Sequence, residues 1–129
     1  MGLILFEMMD VAEESKGESY KIVMFGSGEL GQEVFREARR FGSYELISVD
    51  RYQGAPASKV ADKEYVFDMI DGNAMRQVVE KEKPDVIIPE IEAIDTNMLI
   101  ELEEEGWNVI PNANATKICM DRKLLLFLN

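Results

Sequence analysis

The sequence predicts an α/β fold: a parallel sheet of about five strands flanked by helices. Three observations carry that prediction. Short, continuous apolar runs recur along the chain, helical stretches of about 10–13 residues separate them, and a glycine-rich turn directly follows the first run. Strands buried on both faces read as unbroken apolar runs, whereas half-exposed strands alternate. The first run is Ile22, Val23, Met24 and Phe25. A helix is expected over 29–41, with Leu30, Val34, Ala38 and Phe41 on its apolar face and Gly42 as its stop. Leu46, Ile47 and Val49 make a second strand ending at Asp50, and Tyr65, Val66 and Phe67 a weaker third. Asn73 can cap the next helix, whose apolar face holds Met75, Val78 and Val79. Glu80 to Lys83 read as its solvated end and Pro84 as its stop. Val86, Ile87 and Ile88 form a fourth strand closed by Pro89. Asp95 or Thr96 caps a helix carrying Leu99, Ile100 and Leu102, which ends at Gly106. Trp107, Val109 and Ile110 form a fifth short strand, and a last helix starts near Asn114.

The 129 residues correspond to one domain. A chain of that length buries about two thirds of its extended surface, enough for one core without metals or disulfides. Residues 1–20 read as a polar, irregular segment, 21–113 as the folded domain, and 114–129 as the start of a linker helix. The apolar run at 2–9 falls well short of the roughly 20 residues of a membrane span, so a cytoplasmic protein without membrane contact is expected. Fourteen basic against 25 acidic residues give a net charge of −11. Nucleic-acid binding needs a basic patch, and beyond Arg36, Arg39 and Arg40 the basic residues are scattered, so no nucleic-acid partner is expected. Histidine is absent, which removes imidazole catalysis and argues against a metal site. The single cysteine, Cys119, reads as a small buried apolar residue. Met69, Met75, Met98 and Met120 read as core, and Glu101, Glu103, Glu104 and Glu105 as a solvated helix face.

Right-handed crossovers bring the carboxyl ends of parallel strands to one edge. Ligands of open sheets bind outside that edge, where the strand order reverses. The turn at 26–31, Asp50, residues 89–92 and residues 111–114 converge there. Gly26-Ser27-Gly28-Glu29-Leu30-Gly31 matches G-x-G-x-x-G after a strand and opening a helix, a Rossmann-like context. Gly26 permits the tight turn, Gly28 a close approach of ligand to backbone, and Gly31 close helix–sheet packing. These glycines can also serve packing alone. A dinucleotide is the obvious ligand, with Asp50 spaced as a ribose-binding carboxylate. Glu29, however, sits where the pyrophosphate would lie and suits an amine-bearing ligand better. Glu90 is the strongest second candidate, because no basic residue near it in sequence offers to pair. If Glu29 and Glu90 flank one cleft, they can hold an ammonium group through charge-assisted bonds worth about 1.5–3 kcal/mol each. Acid–base work by such a pair would need a raised pKa. The plainer reading is that both glutamates stabilise helix N-termini.

Several further blocks stand in register with that turn: Val49-Asp50-Arg51-Tyr52 with Ala55-Pro56-Ala57, Met69-Ile70-Asp71-Gly72, Glu82-Lys83-Pro84, Pro89-Glu90-Ile91-Glu92-Ala93-Ile94, Leu102-Glu103-Glu104-Glu105-Gly106, and Ala115-Thr116-Lys117 with Met120 and Arg122. Together they resemble the N-terminal domain of the formate-dependent phosphoribosylglycinamide formyltransferases, ATP-grasp enzymes of purine biosynthesis. The resemblance covers about residues 21–122. It implies the Rossmann-like leading domain that precedes an ATP-grasp domain. It also implies an enzyme that uses formate, activated as formyl phosphate, and ATP to formylate the amino group of glycinamide ribonucleotide. It implies that Glu29, Leu30 and Glu90 bind the glycinamide nucleotide, that Arg122 contacts ATP, and that Asp50 belongs to the scaffold without binding a dinucleotide. Magnesium and a homodimer are further implications, with ATP and Mg²⁺ bound mainly beyond this chain.

Residues 1–20 do not resemble the family's start, and the family continues past Arg122 where this chain closes with residues 123–129. The expectation is therefore a truncated, substrate-binding portion, inactive alone, with no catalytic residue and no cofactor of its own. Its apolar run at 124–128 would be a sticky face. The alternatives are a NAD-binding module of an oxidoreductase, a leading domain of another ATP-grasp enzyme, and a stand-alone regulatory or dimerising domain.

Overall fold

The computed structural model describes residues 20–91, 93–111 and 113. Expectations for residues 1–19, Glu92, Asn112 and 114–129, with Cys119 and Arg122 among them, lie outside the described residues. The elements run β1 (Tyr20–Phe25), α1 (Glu29–Phe41), β2 (Tyr44–Asp50), a 3₁₀ turn (Pro56–Val60), β3 (Lys63–Val66), α2 (Gly72–Glu82), β4 (Val86–Pro89) and α3 (Thr96–Glu104). All strand pairs are parallel, in the order β3-β2-β1-β4. The chain walks outward from β1 to β3, then returns to the other side of β1. The order reverses between β1 and β4, which sets the crevice beside the glycine turn.

The unbroken apolar runs are explained by two-sided burial. On one face Tyr20, Ile22, Met24, Leu46, Val86 and Ile88 pack with Val34, Phe35 and Ala38 of α1. On the other, Val23, Phe25, Ile47, Val49 and Ile87 pack with Met75, Val78 and Val79 of α2 and with Leu99 and Leu102 of α3.

The structure departs from expectation in several places. Leu30 is about half exposed rather than on the buried face of α1, and Phe35 takes its place in the core. The cap of α2 is Asp71, not Asn73: the Asp71 carboxylate accepts the Ala74 N–H at 3.2 Å, and a carboxylate also suits the positive end of the helix. Asp95 caps α3 by accepting the Met98 N–H at 3.1 Å. The fifth strand is reduced to one parallel bridge, Ile87 with Val109. Gly106, at positive φ, and Pro111, which lacks an N–H, leave no room to extend it. The acidic run after Ile100 is solvated as expected, with Glu101, Glu104 and Glu105 exposed, and Arg76 grips Glu105 through both guanidinium nitrogens at 2.6 and 2.8 Å and reaches Glu101 at 3.3 Å. These bonds tie α2 to α3.

Glu82 is the clearest surprise. It lies in the stretch read as solvated, yet it is buried. It accepts the Tyr65 hydroxyl and lies 3.2 Å from Lys63 Nζ and 3.5 Å from Lys21 Nζ. Burial opposes its ionisation, but the Tyr65 hydroxyl, Lys63 and Lys21 together hold its carboxyl below the usual range. Burial, with the carboxylate beside it, pushes the Tyr65 hydroxyl up to about 12. A carboxyl depressed in the folded state stabilises above its unfolded value of about 4.3, and the contribution disappears as pH falls through the folded value. Replacing Glu82 with glutamine should therefore flatten the acid limb of the stability–pH curve in urea unfolding. Replacing it with alanine, which leaves Tyr65 without its acceptor, should cost about 1–3 kcal/mol.

Candidate functional site

The turn between β1 and α1 is held from three sides. Gly26 N–H donates to Val49 O at 2.8 Å, and Ala57 N–H donates to Ser27 O at 2.8 Å. The buried Ser27 hydroxyl donates to Val49 O and accepts the Val49 N–H, both at 3.1 Å. These bonds fasten the turn to the end of β2 and to the 3₁₀ segment. Carboxylates from the strands on either side of β1 take the two consecutive amides of Ser27 and Gly28. Ser27 N–H donates to Asp50 Oδ2 at 2.8 Å, and Gly28 N–H donates to Glu90 Oε2 at 3.1 Å.

Each glycine has a distinct reason. Gly26 has φ +90°, and a Cβ there would overlap Ile91 as the chain leaves β4. Gly28 faces the Glu90 carboxylate, whose Oε1 would lie 3.4 Å from an added Cβ. The group that approaches this bare backbone is thus the chain's own side chain. Gly31 lets α1 lie against β1, since a Cβ would press on Met24 Sδ.

Glu90 is half-buried at the exit of β4, where its own N–H and that of Ile91 donate to Phe25 O at 2.8 and 3.2 Å. Among the described residues it pairs with no Lys or Arg. Burial raises its carboxyl above the ordinary range, the Gly28 N–H opposes the rise, and the nearby Asp50 charge adds to it. Glu29 opens α1 directly after Gly28, and both it and Leu30 point into solvent without a hydrogen bond or ion pair among the described residues. The Gly28 N–H brings Glu90 to the turn at the reversal of strand order, and Glu29 and Leu30 follow Gly28 in the chain; no contact between the Glu29 and Glu90 side chains is seen among the described residues. Arg122 and Glu92 lie outside the described residues.

Asp50 is buried, and its two oxygens accept Ser27 N–H and Arg51 N–H, the latter at 2.7 Å. This is not the free carboxylate that a ribose would need. A dinucleotide pyrophosphate would meet two carboxylates already seated on the Ser27 and Gly28 amides, so the geometry disfavours the NAD reading. Sequence reasoning missed Ser27, a residue between two glycines whose hydroxyl can serve as both donor and acceptor. A groove of about 240 Å³ between β3 and α2, lined by Tyr65, Phe67, Ala74, Gln77, Val78 and Lys81, involves none of the turn residues. Among the described residues no group of three His, Cys, Asp or Glu side chains is placed to hold a metal ion, and no helix is long and apolar enough to cross a membrane.

A family model, the ribonucleotide synthetase preATP-grasp domain, matches residues 20–120. The chain belongs to that family. Its preATP-grasp relatives include the formate-dependent phosphoribosylglycinamide formyltransferase of Methanococcus maripaludis, 60% identical over 103 residues. That alignment covers 80% of this chain and 26% of the relative. The chain thus spans about a quarter of the length of the curated relatives it matches. Among solved structures, glycinamide-RNase-transformylase T from Mycobacterium tuberculosis superposes with a TM-score of 0.75 at 31% identity, covering 84% of this chain and 31% of that one. N5-carboxyaminoimidazole ribonucleotide synthetase from Thermotoga maritima follows with a TM-score of 0.70 at 30% identity, over 77% of this chain and 27% of that one. The Rossmann-like preATP-grasp fold expected from the sequence is borne out.

The glycines of this preATP-grasp turn are separable by experiment. Gly26→Ala forces both a left-handed backbone and an overlap with Ile91, and should cost about 3 kcal/mol in urea unfolding. Gly28→Ala meets only an ordinary contact at negative φ and should cost less than about 1 kcal/mol. The reverse order would show that the turn is built differently.

Proposed function

We propose that this domain is the substrate-binding portion of an ATP- and formate-dependent enzyme that formylates the amino group of glycinamide ribonucleotide, and that it is inactive alone. The observation that carries the proposal is Glu90: a half-buried carboxylate at the strand-order reversal, oriented by the Gly28 N–H and lacking a cationic partner among the described residues. Such a group is complementary to an ammonium. Glu29 adds a second negative charge at the rim, and the exposed Leu30 offers an apolar contact. The 60% identity to a formyltransferase favours this substrate over that of the carboxyaminoimidazole synthetases, at 30%.

ATP and Mg²⁺ belong, in this reading, mainly to the remaining length of the relatives, with Arg122 at the border. The described residues fit neither group well: the Ser27 and Gly28 amides that a phosphate would use are taken by carboxylates, and no group of three His, Cys, Asp or Glu side chains among them is placed to hold a metal ion. When bound, ATP would supply the activation of formate. This chain's residues would hold the amine and set its approach. A homodimer and a cytoplasmic location complete the proposal.

Calorimetric titration of the full chain tests it. Glycinamide ribonucleotide, with a free amine, should bind at least about tenfold more tightly than its N-formyl product, whose formamide nitrogen carries no charge, the effect of one charge-assisted bond. Glu90→Gln should abolish that preference, since an amide cannot offset the charge. Amine affinity should also fall on acidification within a range lying above that of an ordinary glutamate, because Glu90 must be ionised to attract a cation and its carboxyl is raised. Equal affinity for amine and formamide would sink the amine site.

A further inference from the structure

The amine-site reading leaves Asp50 without a task, although its geometry is the tightest in the turn. It ends β2, is 6% exposed, and accepts Ser27 N–H at 2.8 Å and Arg51 N–H at 2.7 Å. One residue on, Gly28 N–H is directed at Glu90 instead. Asp50 holds the Ser27 N–H on one side of that residue, and Ala57 N–H holds Ser27 O, which shares a peptide plane with the Gly28 N–H, so together they set where that N–H points. The start of a helix after a glycine turn ordinarily offers such amides to an external anion. Here both are satisfied from within the chain, from opposite sides of β1, and no Lys or Arg neutralises Asp50 or Glu90 among the described residues.

We propose that Asp50 is a specificity-determining positioning residue of the amine site: it anchors the turn so that the Gly28 amide is presented to Glu90, and with Glu90 it fills with negative charge the cradle that a ligand phosphate would otherwise occupy. The inference rests on the amine-site reading and extends it in two ways. It assigns the rejection of phosphate to a residue that does not touch the substrate amine. It also makes the turn a cation-selective version of an anion-binding scaffold. The charged group facing Glu90 from β2 is Asp50 itself, and its repulsion supports the assignment by disfavouring ionised Glu90 until a cation arrives. The partners seated around Asp50 and the turn are otherwise backbone groups and the Ser27 hydroxyl.

The probe is inorganic pyrophosphate, followed on the full chain through the amide resonances of Ser27 and Gly28. In the native protein these resonances should stay in place, and the Glu90 side-chain carboxyl should titrate above the ordinary range. Asp50→Asn retains one acceptor for Ser27 N–H but removes the charge. It should let pyrophosphate shift both amides with affinity raised about tenfold, the size of one like-charge repulsion of about 1.4 kcal/mol. It should also move the Glu90 midpoint down toward the ordinary range, a change that a purely structural role for Asp50 would not produce. Glu90→Gln keeps an acceptor for Gly28 and should release the same pyrophosphate binding, which preserves the test if Asp50→Asn does not fold. Native amides that shift with pyrophosphate, or a folded Asp50→Asn with an unmoved Glu90 midpoint, overturn the assignment. If only the amine preference measured by calorimetry is missing, the site reading fails instead.

Discussion

Two neighbouring backbone amides, Ser27 and Gly28, each donate to a carboxylate that arrives from a different strand, and the surrounding architecture serves that pairing. Asp50 comes from β2 and Glu90 from β4, so both contacts depend on β1 lying between them. They also depend on the reversal of strand order at β1, which carries the β4 exit back over the turn. Phe25 O accepts from both Glu90 and Ile91, which sets the height at which the glutamate leaves the sheet. Ile91 in turn occupies the place a Cβ at Gly26 would take, and the positive φ there is a second, separate demand for glycine. The glycine pattern, the parallel topology and the candidate site are thus one geometric arrangement.

The electrostatics of the domain follow the same logic at a larger scale. A net charge of −11 would weaken a compact fold if unmanaged. Arg76 gathers Glu80, Glu101 and Glu105 on the outer helices. Lys63 and Lys21 gather Glu82 and Glu45 beside the sheet. Asp62 accepts from Leu46 N–H and pairs with Arg39. Against this pattern Glu90 stands out, since it is half-buried and no cation among the described residues meets it. That contrast, more than the glycine motif, separates a preATP-grasp reading from a dinucleotide-binding one built on the same scaffold.

Much of this was legible in sequence, and the misses have definite causes. The two-sided strands announced themselves as continuous apolar runs, and α1 was bounded correctly because a glycine turn precedes it and Gly42 follows. Glu90 stood out because it directly follows a buried strand and Pro89. The errors occurred where local rules offered near-equal choices. Asp71 and Asn73 are both capping types, and only the path of the loop from β3 selects the former. Leu30 continues a helical apolar stripe by spacing, yet it lies in the first turn of α1, exposed and outside both core clusters. Glu82 sits among Glu80, Lys81 and Lys83, and nothing nearby in sequence reveals that Tyr65 from β3 will reach its carboxylate.

The sequence by itself determined the class of fold, the parallel strands, the position of the turn and the two acidic candidates, because each depends on neighbours within a few residues. The tertiary structure decided which amide each carboxylate takes, that Asp50 faces inward, and that Glu82 is buried. Those outcomes join residues 23, 62 and 17 positions apart. Hydrogen-bond direction and burial at such separations are set by how strands stack side by side, which no local pattern encodes.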